Sequence, residues 1–397
     1  MTRFVPAARN RSASVDAPRK LVINGRFLTQ DVTGVQRVAL ELTREIDAML
    51  EAGVLGDVDG EILVPSGVEL RSNPAFKRLV VRSVGYSNPL LWEQVSLPIA
   101  ARGATLLCLG NLAPVISLVA KTSDTYTMVH DLSYRYFPHA YTRSFRWLHR
   151  LLIPVVLRFS RRVFTVSQSE AIAIRKTHPR LVRQRLVAIQ NGGGEQPAGR
   201  QLSGASESLA VGSKDVPDLR LRKRSGLYVG SLTERKNVRG LEAAAATLTS
   251  SHDAVFTFIG STGEHFAANS AEDSEGIVRL GQVNDPRQVE THYRSARLFL
   301  FPSFYEASPM PVIEAMRYGC PVVAADIPSL RERCGNAAIY CDPSDVSSIV
   351  DAARRVLDDD RLARELQLRG LEHAAQFTWR RQARDMMREM GWNRLEW

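Results

Sequence analysis

Glu306 and Glu314 are the two carboxylates of this chain best placed by their neighbours to do chemistry. Residues 297–301 end in a continuous apolar run of the kind a parallel strand shows when both its faces are buried, and Pro302 stops it. A loop carrying Glu306 follows. Pro309 and Pro311 are tolerated where a helix begins, because first-turn N–H groups have no intrahelical acceptor. Helical spacing continues over residues 312–318, Gly319 ends the helix, and residues 321–325 form the next buried strand. One carboxylate therefore lies in a loop at the carboxyl end of a strand and the other in the first turns of the next helix. In an open α/β sheet that is the edge where ligands bind. By themselves the two could be an acid and a base, or two ordinary surface carboxylates.

A second segment, Tyr228-Val-Gly-Ser-Leu-Thr-Glu-Arg-Lys-Asn-Val-Arg239, reads as strand, glycine turn and helix start. Gly230 lets the backbone approach a ligand, the coming helix offers an N-terminus, and Arg235 and Lys236 add two positive charges. Those are the requirements for holding a diphosphate. An isolated Arg-Lys pair is more often a solvated turn; its place directly after a strand glycine favours the ligand. His130 follows the apolar run 126–129 and precedes Asp131. A lone histidine is more often structural, but one at the carboxyl end of a strand is well placed to hydrogen-bond a sugar. Asp358-Asp-Asp360 lies between two helical stretches and away from any strand end, so it reads as helix-terminal solvation, and no metal is expected.

These residues need strands to present them. Apolar strands are expected at 21–24, 61–64, 78–84, 105–109, 126–129, 162–166 and 186–189, with an amphipathic helix over 35–50 that aligns Val38, Leu42 and Ile46. The alternation restarts at 226–230, with a helix from about Val238 and strands at 255–259, 277–280 and 338–341. Helices follow over 345–357, 361–376 and from 378 to the end. Strand and helix alternate throughout, so the fold class is α/β, with mostly parallel sheets covered on both faces. The chain divides into a basic disordered tail (1–19), a first doubly wound domain (20–195), a linker rich in Ser, Gly, Ala and Asp (196–220), a second doubly wound domain (221–377) and a closing helical segment (378–397) that packs back toward the first domain. A cleft should separate the two halves.

Composition narrows the classes. A hydrophobic content of 44% and a charged content of 24% are those of a water-soluble globular protein, and no apolar stretch reaches the roughly 20 residues a membrane span needs. The four cysteines lack metal-ligand spacing and should be buried thiols, as in a cytoplasmic protein. A net charge of +10 calls for an anionic partner: a phosphorylated substrate, an anionic membrane or nucleic acid. No helix-turn-helix, zinc finger or aromatic RNA motif supports nucleic acid.

Taken together, Glu306-x7-Glu314 and the Gly230-Ser-x-x-x-Arg-Lys-Asn237 segment upstream resemble the retaining GT-B glycosyltransferases of glycosyltransferase family 4. Asn24-Gly-Arg-Phe27, Thr33-Gly-Val-Gln-Arg37, Trp92-Glu-Gln-Val-Ser-Leu-Pro98, Val129-His-Asp131, Thr165-Val-Ser167 and Gln190-Asn-Gly192 are similar to segments of bacterial members that build surface polysaccharides, many of them mannosyltransferases. The resemblance covers residues 21–377. It implies two Rossmann-like domains facing a cleft, and transfer of a hexose from a nucleotide-diphosphate sugar, GDP-mannose first and a UDP-sugar second, to a lipid-linked or oligosaccharide acceptor. It implies retention of configuration and no cofactor beyond the donor. Glu314 would hold the ribose, Glu306 the donor sugar, Arg235 and Lys236 the diphosphate, and His130 would stand beside the reacting sugar. The donor-binding set would be Gly34, Gly230, Ser231, Arg235, Lys236, Ser308, Met310, Pro311 and Glu314. Where the family often has Glu-Gly-Phe-Gly-Leu-Pro, this chain has Glu306-Ala-Ser-Pro-Met-Pro311, so residues 307–310 should set donor specificity. An epimerase-like nucleotide-sugar enzyme and, more remotely, a basic nucleic-acid-binding protein are the alternatives.

A basic run completes the sequence. Between residues 132 and 194 the only acid is Glu170, while Arg143, Arg146, Arg150, Arg158, Arg161 and Arg162 recur along one side of an expected helix interrupted at Pro154. Phe145, Leu148, Leu152, Val155 and Phe159 should form its apolar side. Either this is an ordinary covering helix or its arginines face anionic lipid at the inner face of the membrane.

Overall fold

The computed structural model describes residues 19–193, 218–261 and 276–392. The basic tail, and the expected linker up to residue 217, lie outside them. The first sheet has seven strands: β1 (Arg19–Asn24), β2 (Val58–Pro65), β3 (Val80–Val84), β4 (Thr105–Cys108), β5 (Asp124–Met128), β6 (Arg162–Thr165) and β7 (Leu186–Ala188). The second has six: β8 (Ser225–Val229), β9 (Val255–Ile259), β10 (Ile277–Arg279), β11 (Leu298–Phe301), β12 (Val322–Ala325) and β13 (Ala338–Cys341). Every pairing is parallel, with orders β3-β2-β1-β4-β5-β6-β7 and β10-β9-β8-β11-β12-β13. Both sheets are Rossmann-like, with helices on their faces.

Strand order reverses between β1 and β4 in the first sheet and between β8 and β11 in the second. At such a switch point the connections leave toward opposite faces, and a crevice opens between the loops at the carboxyl ends of the two central strands. The loops after β8 and β11, which carry Arg235, Lys236 and Glu306, flank that crevice. The apolar run 298–301 is wholly buried, as expected of a central parallel strand.

The core of the first domain lies on both sides of its sheet. One side holds Val38, Leu42 and Ile46 from the helix Gly34–Glu51 together with Trp379, Met386, Met387 and Trp392 from the end of the chain. The helix Trp379–Glu389 thus packs beside Gly34–Glu51, and the Arg19 guanidinium lies 4.5 Å from the Trp392 ring centre. All four cysteines are buried and free.

The helix Arg143–Phe159 is capped by the Thr142 hydroxyl and runs through Pro154 without a break. Its buried side is His149, Ile153, Val156 and Leu157, whereas Phe145 and Phe159 are exposed. Of the expected apolar side, Leu148, Leu152 and Val155 do pack, partly buried, against the core, while Phe145 and Phe159 do not. Apolar residues occur almost all round this helix, so spacing alone does not select the face that docks.

Candidate active site

β8 is followed by Gly230, whose φ of 153° is a conformation that residues with a side chain rarely adopt; a Cβ there would lie 2.9 Å from the Tyr228 hydroxyl. That hydroxyl donates to the Ser231 carbonyl at 3.0 Å, fixing the exit of the strand. A single 3-10 turn, Glu234–Lys236, then brings the two cations round. Asn237 holds this turn in place from a left-handed conformation, donating to the Pro302 and Pro343 carbonyls at 3.0 and 2.7 Å and capping Gly240 N–H. The loops after β8 and β11 are tied together again by Phe304 N–H to the Arg235 carbonyl and by Arg235 Nη1 to the Tyr305 carbonyl, both at 3.0 Å.

This stapling sets one carboxylate between two cations. Lys236 Nζ lies 2.5 Å from Glu306 Oε1 and Arg235 Nη1 lies 3.6 Å from Glu306 Oε2. Lys236 and Glu306 are almost fully buried, and Nζ also sits 5.2 Å from the Phe301 ring centre. Burial draws the Lys236 pKa below its ordinary value, against the pull of Glu306. For Arg235 burial also works against the charge, but Glu306 and then Asp131 outweigh it and the pKa is raised. Two buried cations around a single carboxylate supply the charge that a diphosphate needs.

Glu314 lies in the helix Met310–Arg317, under the next turn of the cleft. Its Oε1 is 2.7 Å from Arg37 Nη1 of the first domain, and its Oε2 accepts from the Tyr293 hydroxyl at 3.1 Å. Glu314 is the main cause of the raised Arg37 pKa. Arg37 stands in the first turn of Gly34–Glu51, and a Cβ on Gly34 would lie 3.7 Å from Met310 Cε. Gly34, Arg37, Met310, Pro311 and Glu314 therefore meet where the two domains face each other.

The other expected residues are placed as follows. Ser308 bridges to the first domain: its hydroxyl donates to Gln190 Oε1 at 2.9 Å and its carbonyl accepts from Asn191 Nδ2 at 3.2 Å. His130 follows β5 and is buried, with its backbone N–H donating to Asn111 Oδ1 at 2.7 Å. Its Nε2 is 2.8 Å from the Leu109 carbonyl, so Nε2 carries the hydrogen and Nδ1 is left as an acceptor. Burial lowers its pKa and keeps it neutral. Asp359 caps Leu362 N–H, Asp360 pairs with Arg297, and Asp358 lies by Arg224 and His252. All three aspartates serve the helix junction.

Three residues of the cleft escaped the sequence reading of the site. Arg37 was visible only as part of a segment. Glu170, 3% exposed, accepts from Leu132 N–H at 2.9 Å and from the Tyr305 hydroxyl at 2.7 Å across the cleft. Arg333 is wholly buried and donates to the carbonyls of Asn191, Gly192 and Pro309 at 2.7, 2.9 and 3.2 Å, and to Gln190 Oε1 at 3.2 Å. It fastens the segment just after β7 to Pro309, which precedes the helix Met310–Arg317.

Residues 223–359 match the family Glycosyl transferases group 1. The O-antigen chain mannosyltransferase B of Escherichia coli is 36% identical over 160 residues, 38% of this chain and 42% of that protein. The serotype-specific mannosyltransferase WbdA of Escherichia coli is 26% identical over 314 residues, 70% of this chain and 37% of that protein. The chain thus spans less than half the length of these relatives. Among solved structures, Anabaena Alr3699/HepE in complex with UDP and glucose superposes with a TM-score of 0.66 at 14% identity, covering 94% of this chain and 100% of that one.

Proposed function

We propose that this chain, whose residues 223–359 belong to the group 1 glycosyl transferases and whose two domains form the GT-B fold, moves a hexose from a nucleotide-diphosphate sugar to a lipid-linked or growing polysaccharide. Mannose is the favoured hexose, transfer retains configuration, and no metal takes part. The observation that carries the reading is the buried Lys236–Glu306–Arg235 assembly at the crevice of the second sheet. Mannosyltransferases among the relatives support the sugar, and a neighbour titled with UDP and glucose supports a nucleotide-sugar donor.

In this reading the diphosphate takes Lys236 and Arg235 from Glu306, which turns to hydroxyls of the donor sugar, while Glu314 accepts hydrogen bonds from the ribose. As the anomeric carbon–oxygen bond breaks, positive charge grows on the sugar and negative charge on the diphosphate, and the fixed cations stabilise the latter. The acceptor oxygen bonds to the anomeric carbon from the same face, and its proton passes to the leaving phosphate oxygen. His130 Nδ1 accepts from a sugar hydroxyl. Gly34, Gly230, Ser231, Ser308, Met310 and Pro311 shape the donor site, with residues 307–310 setting specificity.

A nucleotide that binds only the folded protein raises its melting temperature by mass action, by the equivalent of about 2.7 kcal/mol at one hundred times Kd. GDP and GDP-mannose are expected to do so more than UDP and UDP-glucose; the reverse order overturns mannose. Transfer from GDP-mannose should persist in EDTA and give a product of donor configuration by NMR. An inverted product removes the front-face mechanism, and release of altered sugar without acceptor favours epimerase-like chemistry.

Arg143, Arg150 and Arg158 are exposed on the helix Arg143–Phe159 beside Trp147 (66% exposed) and Leu151 (61%), and the adjoining helix Val115–Ala120 exposes Ile116 and Val119. Among the described residues no helix is long and apolar enough to cross a membrane. We infer peripheral docking of this face on an anionic inner leaflet, each arginine near the surface adding about 1 kcal/mol. Sedimentation with vesicles should show binding that needs anionic lipid and weakens with salt. Equal binding to neutral vesicles, or binding to neither, overturns it.

A further inference from the structure

Glu170 opens the helix Gln168–Thr177 of the first domain, whose N-cap is the Ser167 hydroxyl. One of its carboxylate oxygens accepts from Leu132 N–H, directly after His130 and Asp131, and the other from the Tyr305 hydroxyl, directly before Glu306. Tyr305 is itself fixed. Its ring centre lies 5.4 Å from that of Tyr136 and 5.9 Å from that of Phe137, both in the first domain, and its carbonyl accepts from Arg235. A single side chain thus connects the loop after β5 with the loop after β11 through two short hydrogen bonds.

We propose that Glu170 and Tyr305 form a strut across the cleft that positions the Arg235–Glu306 assembly against His130, and that the protonation of Glu170 governs how firmly the cleft is held. The proposal builds on the glycosyl-transfer reading for its consequence in catalysis, but the strut itself does not depend on it.

The sign of the proton effect follows from linkage. Burial, opposed by Tyr305 and reinforced by the charge of Asp131, pushes the Glu170 carboxyl up to about 7. Leu132 N–H also favours the carboxylate, but weakly. When the domains part, this carboxyl meets water and returns toward the ordinary range near 4.5. The held form therefore binds the proton more tightly than the parted form. Holding strengthens as pH falls from about 7 toward about 4.5, and weakens as pH rises through 7, where the buried charge must be tolerated. The other titratable or charged groups facing this cluster are Glu332, which accepts from the Gln168 and Ser169 N–H groups at the start of the same helix, and Asp131, Tyr305, Tyr141, Arg235 and His130. Tyr305 has its pKa raised by burial and by the nearby carboxylates and stays a donor, and Tyr141 beside Asp131 is likewise raised. Arg235 stays charged. Burial lowers the pKa of His130, against the Leu109 carbonyl and Asp131.

Glu170→Gln keeps the shape and an acceptor for Leu132 N–H while removing the titrating charge. Tyr305→Phe keeps the ring contacts and removes the donor. Small-angle scattering of the full chain between pH 5 and pH 8.5 reads domain separation without any substrate. The wild type is expected to expand above about pH 7, Glu170→Gln to stay compact throughout, and Tyr305→Phe to expand at lower pH than the wild type. In parallel, kcat for sugar transfer is expected to fall at least tenfold in Tyr305→Phe with KM for donor little changed, and the pH profile of kcat to flatten in Glu170→Gln. A scattering profile with the same pH dependence in wild type and Glu170→Gln overturns the strut. Failure of both proteins to bind GDP or UDP, with the scattering as expected, leaves the strut standing and overturns the glycosyl-transfer reading instead.

Discussion

Lys236→Ala is expected to lower turnover about 100- to 1000-fold, the usual loss when one preorganised charge aimed at a leaving group is removed. The size follows from the surroundings of Nζ. It is nearly buried, 2.5 Å from Glu306 and above the Phe301 ring, so few water molecules can replace it when charge develops on the diphosphate. Arg235 remains, but it is held by the Tyr305 carbonyl and stands 3.6 Å from Glu306, so it cannot fill both positions. The substitution also leaves Glu306 short of its closer cation, which costs folding stability. Initial rates with saturating donor, on protein whose melting curve is still cooperative, check the prediction. A loss of less than tenfold would mean that the Lys236 charge serves Glu306 and the fold instead of the leaving group.

The second large effect concerns stability. Arg333→Met should destabilise the protein by about 3–5 kcal/mol, because the buried guanidinium donates to three buried backbone carbonyls, those of Pro309, Asn191 and Gly192. Burial lowers its pKa to about 9, which still leaves it charged at neutral pH. The cation also lies 4.4 Å from the Phe377 ring centre, a contact that methionine does not reproduce. Arg333→Lys should recover little, since one ammonium cannot span carbonyls that a planar fork reaches together. Chemical denaturation followed by intrinsic fluorescence measures it. A midpoint within error of the wild type would show that these carbonyls find other partners. Since Pro309 is one of the three, donor affinity should fall as well.

Much of this was legible in sequence because buried parallel strands leave an unmistakable trace. The run 298–301 and its neighbour 322–325 are apolar at every position, and the residues beyond their carboxyl ends fall at the crevice by topology alone. Gly230, Arg235, Lys236 and Glu306 could therefore be grouped before any coordinates. What resisted reading were the pairs across the cleft. Tyr305 and Glu170 are 135 residues apart, and Arg37 and Glu314 belong to different domains, so no periodicity links them. Arg333 sits in a helix of seven residues with Arg331 beside it, where composition suggests a solvated end. Its burial is decided by where residues 190–192, just after β7, come to lie. The helix Arg143–Phe159 was read in part, since Leu148, Leu152 and Val155 pack as expected, but its most buried side includes His149, a residue that hydropathy would assign to water.

Trp379, Met386, Met387 and Trp392 complete one face of a core whose other members lie before residue 190. Gly192 N–H donates to Gln382 Oε1, and a Cβ on Gly192 would run into the Trp379 ring. During synthesis, then, the first domain emerges from the ribosome with an apolar face bare and keeps it bare until residues 379–392 are made. The two halves cannot mature one after the other. A chain stopped after the second sheet would keep that face exposed, so the core of the first domain closes only after the second domain has been made.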